Sequence, residues 1–246
     1  MRRRLLITVA VVLLTGLIIY AVLTAISSSI RLEFDFCHGA QGWEASFAEY
    51  AQEMEDIQLE SGIRPLPSEL EIEGTGYYLQ GMNPSDDLFM FLKRRLGTDD
   101  GVVSGQEYRI KFTIVFASNA PSGASGIGGS PGEAVFLKAG ASMVEPEVYL
   151  DSATNYYFMN VDKGLGNSDS GEAASVTGHI ANGLSADEID MENPPYVSLE
   201  RQHEHEYTIT ASPDGELWLL VGTDSGFEGL TGIYYQRIAV TLKPVK

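Results

Sequence analysis

The feature that most constrains this chain is the two-residue period of its apolar side chains. It is clearest over residues 107–118, where Tyr108, Ile110, Phe112, Ile114 and Phe116 share one face and Arg109, Lys111 and Thr113 share the other. Successive side chains of a strand point to opposite faces, so such a stretch has one face in a core and one in water. Beyond residue 29 no segment carries a sustained apolar helical period. Short alternating or continuously apolar runs predict strands at 31–37, 76–82, 87–96, 107–118, 134–144, 175–181, 206–211, 216–222 and 232–242. Glycine-rich loops separate them, such as 122–132 (SGASGIGGSPG) and 163–171 (KGLGNSDSG). About nine strands with little helix predict an all-β, antiparallel two-sheet sandwich. The stretch 44–60 reads as one short helix or an irregular loop. Trp218 lies in LWLLV, apolar on both faces, and is expected with Trp43 in the core.

The first 29 residues follow a different pattern. Arg2, Arg3 and Arg4 precede an apolar run from Leu5 to about Ile26, and no further charge occurs until Arg31. A helix of that length is long enough to cross a bilayer, and flanking arginines stay cytoplasmic. The segment 1–29 is therefore expected to be a transmembrane anchor or a signal helix, with residues 30–246 outside the cytoplasm. Ala25-Ile26-Ser27 is an acceptable cleavage site, but the apolar run is longer than that of most signal peptides, which favours an uncleaved anchor. The expected location is membrane-anchored with the domain outside, or secreted after cleavage. Any membrane contact is expected through this segment only.

Charge narrows the partners. The chain holds 16 basic and 34 acidic residues, and the three N-terminal arginines leave only 13 of the basic ones to the outer part, which holds every acid. Such a surface repels phosphate backbones and anionic headgroups, so a nucleic-acid partner is not expected. Neutral ligands and cations remain open. The single cysteine, Cys37, excludes an internal disulfide framework and any multi-cysteine zinc site, and it reads as a small buried hydrophobe at a strand end.

Several segments carry a family likeness. Phe34-Asp35-Phe36 followed by Gly39 and Gly42-Trp43, the hairpin 88–116, Gly215-Glu216-Leu217-Trp218 and the run Ile233-Tyr234-Tyr235-Gln236-Arg237-Ile238 resemble strands of galactose-binding-like jelly-roll carbohydrate-binding modules. The whole is also similar to uncharacterised bacterial exported or membrane-anchored proteins that open on an F-D-F…G-W segment. The first resemblance implies a jelly-roll sandwich that binds glycans. It also implies a structural calcium near Asp35, although Gln236 stands where many such modules place an acidic residue in the last strand. Asp35 is otherwise a turn-former that accepts backbone N–H bonds.

Glu188-Ile189-Asp190-Met191-Glu192 resembles the E-I-D-x-E strand of laminarinase- and lichenase-type glycosidases. On a strand the three carboxylates share one face. The resemblance would make Glu188 the nucleophile and Glu192 the acid/base, with Asp190 tuning both. Asn193-Pro194-Pro195 follows at once and argues for a solvated acidic loop. Asp162 and Asp169, with Asn167 and Glu172, are hard oxygen donors in a glycine-rich loop, but their spacing is not that of a calcium-binding loop. His203 and His205 flank Glu204 and point to one side of an extended chain. In the tyrosine pairs 77–78, 156–157 and 234–235, alternation turns one ring inward and one outward. Tyr78 and Tyr156 are the candidate sugar-stacking rings. No other cofactor is implied. The expected function is an extracytoplasmic module that binds glycans or another envelope component. The alternatives are a β-sandwich glycosidase using Glu188 and Glu192, and a structural envelope protein without a small ligand.

Overall fold

The computed structural model describes residues 29–85 and 87–246. The apolar run 5–26, and with it the expected anchor, lies outside the described residues. Among those residues no helix is long and apolar enough to cross a membrane. The strands are β1 (Ile30–Asp35), β2 (Glu44–Ala48), β3 (Tyr50–Ala51), β4 (Glu60–Pro65), β5 (Thr75–Met82), β6 (Phe89–Leu96), β7 (Glu107–Ser118), β8 (Val135–Ser142), β9 (Val148–Asp151), β10 (Tyr156–Met159), β11 (Ser175–His179), β12 (Val197–Glu204), β13 (Ile209–Thr210), β14 (Leu217–Ser225) and β15 (Leu230–Pro244).

Two antiparallel sheets face each other, as the alternation predicts. One runs β12-β7-β15-β5-β4, with β1 on the same edge of β15 as β5 and β13 on the same edge of β7 as β12. The other runs β11-β8-β14-β6-β2. Between them Ile110, Phe112, Ile114 and Phe116 of β7 join Leu137, Ala139 and Ala141 of β8 and Leu217, Leu219 and Val221 of β14 in one core cluster. Each is almost wholly removed from water, the largest single contribution to holding the sheets together. In β15 the register shifts between Tyr235 and Arg237. That bulge resets the two-residue period, so Ile233, Tyr235, Ile238, Val240 and Leu242 all reach the core.

A third, small sheet, β3-β10-β9, covers part of the outer face of the five-stranded sheet. Beneath it Ala48, Phe89, Phe91, Met159, Ala174 and Leu220 form a second apolar cluster, with the Phe89 and Phe91 rings stacked at 5.3 Å. This cover is absent from the sequence reading. The stretch 44–60 supplies no helix. Its first part forms β2 against β6 and β3 against β10. β12 also goes unpredicted, because two of its four half-buried positions are Arg201 and His203. Cys37 is exposed in a short turn after β1 and not buried, because the chain leaves the sheet at Asp35, whose Oδ1 accepts the Cys37 N–H at 2.9 Å.

Candidate functional site

The outer face of the five-stranded sheet is covered at one end only. Along β14, Leu217, Leu219 and Val221 point into the sandwich, and Leu220 points outward into the second cluster, buried beneath the small sheet. Trp218 is the next outward residue toward the strand's start. It lies beyond the cover and is half-buried, lining an open groove of about 520 Å³. LWLLV is thus apolar on both faces because two different layers cover it, and Trp218 is not a core residue. Trp43, by contrast, is only 2% exposed, with its ring edge-on to Phe34 and Phe36.

Neighbouring strands furnish the groove with charge. On the outer face Trp218 stands opposite Arg95 of β6 and Ser142 of β8, and Glu44 of β2 stands opposite Lys93. Lys93 Nζ sits 5.5 Å from the indole centroid and 2.5 Å from Glu145 Oε1. Arg95 pairs with Glu216. Arg94 reaches the floor from the other side, its Nε donating to the Gln41 carbonyl at 2.9 Å. Five carboxylates (Glu44, Asp99, Asp100, Asp214 and Glu216) line the groove against the two guanidiniums of Arg94 and Arg95. The arrangement combines a flat aromatic face with acceptors and planar donors at its rim. It suits a neutral polyhydroxylated ring, whose C–H face packs on indole while its hydroxyls bond to the carboxylates and guanidinium.

The residues singled out by sequence are scattered. Glu188, Asp190 and Glu192 occupy turns, all exposed, and Asp190 Oδ1 accepts the Glu192 N–H at 2.9 Å. The strand that would align the three carboxylates on one face does not form, as the following prolines suggest. Tyr78 does face outward from the seven-stranded sheet, but it is only 6% exposed. Tyr234 packs on it at 4.5 Å and Arg64 lies 4.5 Å from its centroid, so its faces are occupied by the chain itself. Tyr156 is half-buried on the small sheet, 4.8 Å from the Phe158 ring. Asp162 accepts the N–H groups of Gly164 (2.9 Å) and Glu172 (3.0 Å), and Asp169 accepts that of Gly166 (2.9 Å), so both carboxylates shape their loop. Asp35 lies near Cys37 and His38, a mixed O, S and N set unlike the all-oxygen cage calcium prefers. Gln236 turns to Ser198, whose hydroxyl donates to its Oε1 at 2.6 Å. The groove was legible only in part. Gly215-Glu216-Leu217-Trp218 stands out in the sequence, but nothing local says where the outer cover stops.

His203 and His205 do point to one side, where they clasp a hydroxyl. Ser175 Oγ lies 2.7 Å from His203 Nε2 and 2.7 Å from His205 Nδ1. His205 Nε2 is 3.0 Å from the Glu172 carbonyl, which only accepts, so Nε2 carries the proton and Nδ1 accepts from Ser175. A Cβ on Gly140 would overlap His205 Cε1, so glycine there lets the ring lie against the sheet. The knot joins edge strand β11 of one sheet to the end of edge strand β12 of the other. Burial lowers the pKa of both rings from 6.5, and for His203 the neighbouring His205 adds to the effect. The unfolded chain therefore binds more protons below pH 6.5, and the stability this seam contributes is full above that value and lost on acidification. Relative to His203→Gln, wild type is expected to lose urea midpoint on acidification from about pH 7.5 to about pH 5.5. Equal pH slopes in both proteins would contradict this.

No protein-family model matches the chain, and no curated protein matches its sequence. Among solved structures, the chain is similar to a carbohydrate-binding module of the β-sandwich superfamily described for promiscuous specificity. The identity is 12% over 87% of this chain, with a TM-score of 0.36, and the chain spans 61% of that structure's length. It is also similar to TmCBM27, a module described for specific mannan recognition, at 14% identity over 89% of this chain and 99% of that one, with a TM-score of 0.38. A third is TmCBM61, solved with β-1,4-galactotriose, at 10% identity over 83% and 92% of the two chains, with a TM-score of 0.33.

Proposed function

We propose that this protein is a glycan-binding module of jelly-roll type that works outside the cytoplasm and recognises neutral sugars in the Trp218 groove. The observation that carries the reading is a half-exposed indole on an open sheet face, set among Arg95, Glu44 and Glu216. The excess of carboxylates along the groove disfavours anionic polymers and leaves neutral glycans as the fitting class. Binding here requires no bond-breaking, since recognition by stacking and rim hydrogen bonds is sufficient. The apolar segment headed by Arg2, Arg3 and Arg4 supports a tether to the membrane or export through it.

The test is retention on immobilised neutral polysaccharides of plant, microbial and host origin. Wild type is expected to be retained on at least one. Trp218→Ala is expected to lose about tenfold or more in affinity on it, about 1.4 kcal/mol or more, and Arg95→Ala somewhat less. No retention on any glycan, or undiminished retention of Trp218→Ala, would remove the assignment.

A further inference from the structure

Beside the second apolar cluster, sealed under the small sheet and the loop 160–174, lies a set of charges that glycan binding does not use. Lys138 of β8 and Asp224 of β14 are both fully buried, with Lys138 Nζ 2.7 Å from Asp224 Oδ2. Lys138 Nζ also donates to the carbonyls of Lys163 (2.9 Å) and Gly166 (3.1 Å). Lys163 Nζ reaches the same Asp224 oxygen at 3.0 Å and Asp87 Oδ2 at 3.7 Å. The other oxygen of Asp224, Oδ1, is buried and has no donor among the described residues. Asp87 lies close enough to feel the negative charge of Asp224, and that repulsion favours a proton on one of the two acids. Glu49 completes the charged surroundings.

We propose that this is a modification site, in which Lys138 Nζ and Asp224 Cγ condense into an intramolecular amide that covalently joins strands β8 and β14, with Asp87 transferring the protons. Geometry supplies the requirements of that reaction. Two backbone carbonyls take two N–H groups of Lys138, which leaves the remaining position on nitrogen toward Asp224. Both reacting side chains are held in contact by adjacent, hydrogen-bonded strands, so the encounter is already made. Water is excluded, which favours condensation over the reverse hydrolysis.

The protonation states agree with these roles. Burial, only partly offset by Asp224, pushes the Lys138 ammonium toward the neutral amine. Burial also opposes the charge on Lys163, but the acids around it, Asp224 first, outweigh it and hold that lysine protonated. Lys163 therefore serves as the local positive charge and Lys138 as the nucleophile. Burial, with the charge of Asp224 next, raises Asp87 to about 8, so it holds a proton near neutrality.

The step balances without an oxidant or added reagent. Asp87 gives its proton to the Asp224 carboxylate and takes one from Lys138. The Nζ lone pair attacks Cγ, and a C–N bond forms. A carboxyl oxygen leaves as water, carrying the second Nζ proton by way of Asp87, which ends protonated as it began.

The experiment is a peptide map of the full chain, unfolded before digestion. The expected result is a branched peptide joining the segments around 138 and 224, one water lighter than its two parts. It should be absent from Lys138→Arg, which keeps the cation but is no nucleophile. Asp87→Asn should slow its formation at least tenfold. Quantitative recovery of the two segments as separate, unmodified peptides from folded wild type would overturn the proposal. So would a lost water that maps to Lys163, or to any other pair. Since wild type alone decides the first question, a variant that fails to fold does not weaken the test.

Discussion

Asp224→Ala is expected to destabilise the protein by about 3–5 kcal/mol, the cost typical of leaving a buried partner charge uncompensated. The residue is wholly buried and contacts two lysines, at 2.7 Å from Lys138 and 3.0 Å from Lys163. Without it Lys138 and Lys163 lose the oxygen they share, and Lys163 is left with Asp87 at 3.7 Å. Denaturant unfolding gives the number directly, with the slope checked for two-state behaviour. The double variant Lys138→Met with Asp224→Leu should recover only the part of the loss owed to Lys138, because Lys163 still loses its partner. A loss below about 1 kcal/mol for Asp224→Ala would mean that water reaches this cluster. The same substitution also removes the carboxyl needed for the proposed cross-link.

Trp43→Ala is the second large effect, expected at about 3–5 kcal/mol. Trp43 is 2% exposed, and its ring meets Phe34 edge-on at 5.6 Å and Phe36 at 6.4 Å. The void would open where β1 turns into β2, against the rings of Phe34 and Phe36. Phe is the informative control. The indole Nε1 is buried without a hydrogen-bond partner among the described residues, so Trp43→Phe loses volume but also removes an unsatisfied donor. Its cost should be well under half that of Trp43→Ala. Equal losses in the two variants would show that the nitrogen finds a partner in solution.

The two tryptophans show how far the sequence reaches. Both sit in apolar company, and both read as core. For Trp43 that is right, since its neighbours in the chain, Phe34 and Phe36 at the end of β1, are also its neighbours in space. For Trp218 it fails, because the layer that buries Leu220 comes from β3, β9, β10 and their loops, and it stops one outward position short of the indole. The tyrosines fail in the opposite direction. Alternation turns Tyr78 outward as expected, and Tyr234 and Arg64 then fold over it. The E-I-D-x-E segment matched a strand signature by composition alone, and it lies in turns.

The sequence by itself determined the longer core strands, such as β7, and which of their side chains share a face. A two-residue period fixes which side chains share a face, whereas the bulge in β15 emerged only from its pairing with β7. It also determined the acidic balance, which disfavours polyanionic partners, and the single cysteine that excludes a disulfide framework. Only the tertiary structure decided which outward faces are wet. Alternation is local, whereas the cover over a sheet's second face comes from segments far away in the chain. That cover leaves Trp218 open in its groove, and it seals Lys138 against Asp224 beneath the small sheet.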